Sequence, residues 1–281
     1  MENEIFKAYN NKEFLNSKVA RPIRVLCELI EPEERLKANE VKNTIVFFGS
    51  ARPKPQDVID SELKEFKDKL NPANTISKQE QSQLSRLERI QKLSKYYDEA
   101  VKLANKVSCW SRNEDSGMRN CFVCSGGGPG IMEAANRGAK DADARSIALG
   151  ISLPFEQGVN KYADPELSFE FHYFFIRKFY FLYHAKAVFV FPGGFGTMDE
   201  LFETLTLIQT NKLQKKMPIY LYGKEFWENL INFNKFVEWG VISPNDLELF
   251  KIVDSTEEAL ESLVKDLAPT DNFNHFGSIP V

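Results

Sequence analysis

Twice in this chain of 281 residues a short apolar run stops on a cluster of glycines and restarts as a helix. The first unit reads Cys121-Phe122-Val123-Cys124-Ser125, then Gly126-Gly127-Gly128-Pro129-Gly130, then an amphipathic stretch from Ile131 to Lys140. The second reads Ala187 to Phe191, then Pro192-Gly193-Gly194-Phe195-Gly196-Thr197, then a helix whose apolar positions are Met198, Leu201, Phe202, Leu205 and Ile208. Runs of about five apolar residues fit strands buried on both faces. A helix following at once then has to carry the chain back to a parallel neighbour. Five more short runs share this character: Thr44 to Phe48 (ending in Gly49-Ser50), Ile147 to Leu153, Ser168 to Phe171, Pro218 to Tyr222 and Leu249 to Val253. Helical patterns over Phe174 to His184, Phe226 to Trp239 and Thr256 to Leu267 alternate with them. The alternation predicts a Rossmann-like α/β fold, a mostly parallel sheet with helices on both faces joined by right-handed crossovers. In such a sheet ligands bind beyond the carboxyl ends of the strands, the edge on which both glycine loops open.

The predicted organisation is an N-terminal helical extension (1–43), a Rossmann-like domain (44–268) with a charged helical insertion (57–95), and a tail (269–281). Within the extension, Arg21 to Asn39 reads as a helix with Leu26, Leu29 and Ile30 along one face. The segment 57–95 reads as solvated helix leading into a helix over Tyr96 to Val107. With 36 basic against 40 acidic side chains the chain has no global positive field, which argues against nucleic acid as a partner. The stretch Phe171 to Val190 is broken by Arg177, Lys178, His184 and Lys186, so no membrane role is expected. The four cysteines are too scattered for a secreted disulfide framework, and the first residues lack a signal-peptide pattern, so a cytoplasmic location is expected. Cys121 and Cys124 form a C-x-x-C, but strand alternation points them to opposite faces, as two buried thiols.

Two glycine loops on one edge bring backbone N–H groups and helix dipoles to bear on an anion, which predicts a phosphate-bearing ligand. Neither loop completes the dinucleotide G-x-G-x-x-G, since the third position is Ile131 in one and Asp199 in the other, and no G-K-[ST] occurs. A mononucleotide fits better. Thr197 and Glu200 form T-x-x-E, which alone reads as an N-cap and its capping-box partner. A carboxylate aimed at the phosphate would repel it, so Asp199 or Glu200 should face the sugar instead. Arg177 and Lys178 fall in the first turn of the helix that precedes Ala187 to Phe191. Cations there oppose the helix dipole unless an anion or a carboxylate answers them.

Taken together, Gly126 to Ala134, Arg177-Lys178 and the complete P-G-G-x-G-T-x-x-E from Pro192 to Glu200 resemble the LONELY GUY (LOG) family, once labelled lysine decarboxylases. The resemblance covers roughly residues 44–265. It implies a homodimeric or higher homo-oligomeric phosphoribohydrolase that needs no metal or cofactor. Such an enzyme splits the N-glycosidic bond of a nucleoside 5'-monophosphate, AMP or an N6-modified AMP, into base and ribose 5-phosphate. It also implies Glu200 and Arg177 as catalytic residues and Gly193, Gly194, Gly196 and Thr197 as the phosphate loop. Lys178 is expected as a second anion contact, Glu133 as an acceptor for ribose hydroxyls, Ser50, Gly127 and Gly128 as ligand contacts, and His172 as a contact to the base. A carboxylate near C1' can stabilise oxocarbenium-like charge and orient or deprotonate water, which is the part expected of Glu200. The alternative is a non-catalytic nucleotide sensor or carrier on the same fold. Lysine decarboxylation would need pyridoxal phosphate on a lysine with an acidic partner for its ring nitrogen, and no lysine here has that setting.

Overall fold

The computed structural model describes residues 7–70, 76–153 and 158–268, so the expected tail, 269–281, lies outside the described residues. Seven strands, β1 (Asn43–Phe48), β2 (Cys121–Ser125), β3 (Ser146–Ile151), β4 (Ser168–Phe171), β5 (Ala185–Val190), β6 (Ile219–Tyr222) and β7 (Phe250–Val253), form one sheet in the order β4-β3-β2-β1-β5-β6-β7. Every neighbouring pair is parallel. Around the sheet are α1 (Lys12–Asn16), α2 (Arg21–Ala38), α3 (Gln56–Lys69), α4 (Lys78–Arg112), α5 (Ile131–Asp141), α6 (Phe174–Tyr183), α7 (Phe195–Gln209), α8 (Lys224–Leu230), α9 (Phe233–Glu238) and α10 (Thr256–Leu267). This is the Rossmann-like α/β architecture the strand and helix alternation predicts.

The two sheet faces hold separate cores. One packs α4, α5 and α10 around Ile45, Phe47, Val123 and Phe189. The other packs α2, α6, α7 and α8 around Val46, Phe48, Val188 and Val190. Cys121 belongs to the first core and Cys124 to the second, so the two thiols do face apart, and burial pushes the Cys121 thiol up to about 12.

Strand order reverses between β1 and β5: the chain winds outward from β1 to β4, then returns to β5 on β1's other side. The helices that follow these two strands leave on opposite faces, α4 on one and α7 on the other, and open a crevice at the carboxyl edge. Its floor is rigid. Phe191 stacks on Tyr222 at 4.4 Å between ring centroids and on Phe47 at 6.1 Å. Pairs of this kind add about 0.5–1.5 kcal/mol beyond burial alone. The backbone at the start of the second glycine loop is thereby pinned.

The helix expected over Arg21 to Asn39 is α2; it packs through Pro32, Leu36 and Val25, and Leu26, Leu29 and Ile30 are exposed. Two expectations about helices need correction. The region around Tyr96 is not a separate helix. α4 is continuous from Lys78, started by a capping box in which the Glu80 N–H donates to Ser77 Oγ (3.2 Å) and the Ser77 N–H to Glu80 Oε2 (2.8 Å). Its first 18 residues, about 27 Å of helix, therefore run past the carboxyl edge with α3 packed alongside. Finally, Phe226 to Trp239 is two helices, the second capped by Asn232.

Candidate active site

Three loops meet at the crevice, and Ser50 joins them. Its N–H donates to Pro192 O (3.0 Å) and its carbonyl accepts from the Ile131 N–H (2.9 Å). A β-carbon at Gly130, already at φ +69°, would strike the Ser50 carbonyl. The Ser50 hydroxyl accepts from the Arg52 N–H at 3.1 Å. Ser50 thus holds the two glycine loops in register through its backbone.

The glycine loops themselves differ. In the first, the protein requires the glycines. Gly127 has φ +72°, and its N–H donates to Ser125 Oγ (3.1 Å). The Gly127 carbonyl accepts from the Asn160 N–H (2.7 Å), and Asn160 Nδ2 donates to the carbonyls of Gly127 (3.0 Å) and Gly128 (3.3 Å). Asn160 is further tied to buried Asn136, which accepts from the Ser125 hydroxyl at 2.7 Å. The Gly127 N–H and the carbonyls of Gly127 and Gly128 are therefore engaged by the scaffold. In the second loop, a β-carbon at Gly193 would collide with the Thr197 side chain, whereas one at Gly194 or Gly196 would meet nothing. Neither of these two has a positive φ. No protein contact demands glycine at 194 or 196; what the missing side chains leave clear is the approach to the backbone N–H groups.

The helix after this loop starts earlier than T-x-x-E suggests. Gly194 is the N-cap of α7, with no side-chain cap, and Thr197 is already in the first turn. Thr197 and Glu200 do not form a capping box. The first turn carries no acidic residue, so the positive end of the dipole is unanswered by side chains of its own helix.

Glu200 lies one turn further on, with its side chain only 12% exposed and its carboxylate 3.7 Å from Lys178 Nζ. Burial pushes its carboxyl up to about 7; the charges of Lys178 and Arg177 pull the other way, and Glu203 and Asp199 reinforce the rise. Lys178 is also paired with Asp199 (2.8 Å) and Glu203 (2.6 Å). Burial disfavours its charge, but these partners outweigh that, so its pKa is raised. The expected anion contact at Lys178 is in this structure the hub of three carboxylates. Glu203 was not anticipated, although its spacing of four from Asp199 is the pattern of two residues on one helical face.

Arg177 points away from Lys178, toward the first glycine loop. Its Nε donates to Leu149 O at 2.7 Å, and its guanidinium lies 4.9 Å from the Phe181 ring centroid. A β-carbon at Gly126 would sit 2.5 Å from Arg177 Nη2, so the absence of a side chain there makes room for the guanidinium. Two consecutive cations thus turn apart, Arg177 to the first glycine loop and Lys178 to the carboxylates of α7, with Glu200 within the field of both.

Two expected residues are drawn elsewhere. The Glu133 carboxylate accepts from the Tyr97 hydroxyl at 2.7 Å, on the side of α4. His172 follows β4, four strands from β5 or about 19 Å across the sheet. It is exposed, its ring meets Tyr173 edge-on at 4.8 Å, and its N–H is held by Glu28. The structure does not bring it to the second loop. Asn160 and Glu28, which support the loop and the helix respectively, have no local sequence signal; both act across long separations.

Among the described residues no group of three or more His, Cys, Asp or Glu side chains could hold a metal ion, and no helix is long and apolar enough to cross a membrane.

A family model described as "Possible lysine decarboxylase" matches residues 132–263, which include α6, the second glycine loop and Glu200. The chain is 29% identical over 182 residues to a cytokinin riboside 5'-monophosphate phosphoribohydrolase of Arabidopsis thaliana, covering 63% of this chain and 78% of that protein. It is 28% identical over 151 residues to a probable cytokinin riboside 5'-monophosphate phosphoribohydrolase of Oryza sativa subsp. japonica, covering 52% and 64%. A solved structure of the molybdenum cofactor binding protein from Rippkaea orientalis overlays with a TM-score of 0.44 at 18% identity, covering 80% of this chain and 96% of that one.

Proposed function

We propose that this chain is a LOG-type enzyme that hydrolyses the N-glycosidic bond of a nucleoside 5'-monophosphate to free base and ribose 5-phosphate, a reading its similarity to the phosphoribohydrolases above supports. The substrate class is AMP or an N6-modified AMP of the cytokinin riboside type, in keeping with the names of its relatives. The observation that carries this reading is the nearly buried carboxyl of Glu200, with a pKa of about 7, one turn past an uncapped helix start opened by Gly194 and Gly196.

In this reading the 5'-phosphate sits on the N–H groups of Gly194 to Thr197, where the α7 dipole favours its charge. Glu200, ionised, faces the sugar. It stabilises positive charge growing on C1' and the ring oxygen as the bond to the base breaks, and it takes a proton from the attacking water. Arg177 and Lys178 keep enough of Glu200 ionised near neutrality for this to work, since both favour its carboxylate. The departing base leaves with the bonding electron pair and is protonated, so atoms and charge balance with water as the only co-reactant. The direct test is a panel of nucleoside monophosphates, each assayed for free base and ribose 5-phosphate. Equimolar release of both from at least one of them is expected, and release from none defeats the proposal.

The sign of the pH dependence follows from the carboxyl's state. Protonated Glu200 can neither accept a proton nor stabilise a cation, and its pKa is raised, so the active form accumulates as pH rises through about 7. We expect kcat/KM to climb with pH around that midpoint, and Glu200→Gln to remove that limb from the residual activity.

Association between copies is part of the same reading. Phe175, Phe179 and Tyr183 lie on one stripe of α6 at 57%, 42% and 39% exposure, and Leu26, Leu29 and Ile30 of α2, the helix packed along α6, are exposed as well. An apolar surface of this kind is what a homo-oligomer covers. Phe179→Glu is expected to convert a wild-type dimer to single chains in light scattering after size exclusion; a wild-type mass of 32.2 kDa, one chain, counts against this.

A further inference from the structure

The cations of α6 oppose its dipole, and the structure reveals a carboxylate at the entry to that helix which comes from far away in the chain. Glu28, on α2, accepts from the His172 N–H at Oε1 (2.9 Å) and from the Tyr173 N–H at Oε2 (3.2 Å). Tyr173 is the N-cap of α6 and makes no side-chain cap of its own. A carboxylate taking two N–H bonds fixes the chain where it enters the helix, and its charge suits the positive end of the dipole. α2 then follows α6 along its length. The Tyr180 hydroxyl donates to Leu29 O at 2.5 Å, and Glu33 Oε2 lies 3.2 Å from Nε2 of His184, the C-cap of α6.

We propose that Glu28 is a positioning residue for the reaction: delivered by the N-terminal extension, its carboxylate clamps the start of α6 and sets where Arg177 and Lys178 stand over the site. The proposal rests on the hydrolase reading above. Arg177 follows Tyr173 by one helical turn and its N–H donates to Tyr173 O (3.2 Å), so a shift at the entry is carried directly to it. The extension then does more than cover the sheet, because without it the entry to α6 would keep its N–H groups but lose the acceptor that orients them.

The test compares Glu28→Ala, Glu28→Gln and, as a control at the far end of the same helix pair, Glu33→Gln. Each full-length protein is assayed for base release from AMP, or from the best substrate of the panel, and for amide hydrogen exchange across α6 and across β6. For Glu28→Ala the expected result is kcat lowered about tenfold, KM changed less than threefold, and faster exchange in α6 but not in β6. Glu28→Gln, which keeps one neutral acceptor, should fall between the two, at about a third of wild-type kcat and with exchange in α6 faster than wild type, and Glu33→Gln should match wild type. Wild-type kcat in folded Glu28→Ala overturns the proposal while leaving the hydrolase reading intact. Should Glu28→Ala fail to fold, Glu28→Gln decides: unchanged exchange in α6 together with unchanged kcat overturns the proposal. Were wild-type protein to release no base from any nucleotide, the hydrolase reading would fall and with it the catalytic purpose of the clamp; exchange in α6 would still report whether Glu28 holds the helix.

Discussion

Glu200→Gln is expected to release base from a nucleoside monophosphate about a thousandfold more slowly than wild type, while binding the same nucleotide with a Kd within a few-fold of wild type. The amide is nearly isosteric with the carboxyl, so packing in this buried position is kept. What disappears is negative charge at the sugar and the capacity to accept a proton. Loss of a general acid–base group alone costs about 10²–10⁴ in rate; a thousandfold is ~4 kcal/mol of lost transition-state stabilisation. Lys178 keeps Asp199 and Glu203 as partners, at 2.8 and 2.6 Å, so the substitution does not strand its charge. Stopped-flow or steady-state assays of base release beside calorimetric binding separate the two effects. A variant that binds and turns over like wild type removes Glu200 from the chemistry. A wild type that binds nucleotide without turnover makes the protein a carrier or sensor.

The second large effect concerns the phosphate. Nucleosides lacking the 5'-phosphate should show kcat/KM lowered about a thousandfold relative to the matching monophosphates. Hydrogen bonds to a charged group contribute about 1.5–3 kcal/mol each, and two from the Gly194 to Thr197 backbone suffice for that ratio. The drop should appear in kcat as well as KM, because binding energy from a remote group holds the sugar over Glu200 in the transition state. Comparable kcat/KM for nucleoside and nucleotide would mean that the second loop does not hold a phosphate.

The fold was legible because buried parallel strands announce themselves as short apolar runs, and all seven stand within a few residues of where the runs lie. Helix starts were harder, and two capping patterns show why. Ser77-x-x-Glu80 is a true capping box that starts α4 and went unread within a charged stretch. Thr197-x-x-Glu200 has the same form and is no cap, because Gly194 already serves as N-cap and α7 has begun at Phe195. The pattern is local, but which glycine the backbone uses is decided by how Pro192 is tied to Ser50 and how Phe191 is stacked. In the candidate site, the sequence brought Arg177, Lys178 and Glu200 to one edge. It could not reveal that consecutive cations turn apart, one to the first glycine loop and one to α7, since that depends on the Leu149 carbonyl and the space above Gly126. Nor could it reveal Glu28, 144 residues from the amide it accepts from.

The central claim is that the second glycine loop holds the phosphate while Glu200 faces the anomeric carbon. The most direct measurement is a crystal structure of the Glu200→Gln protein with AMP bound. The account predicts the 5'-phosphate on the N–H groups of Gly194 to Thr197, and the side chain at position 200 within about 3.5 Å of C1' or of a water poised beneath it. A phosphate seated elsewhere, or a side chain at position 200 turned from the sugar toward Lys178, contradicts it.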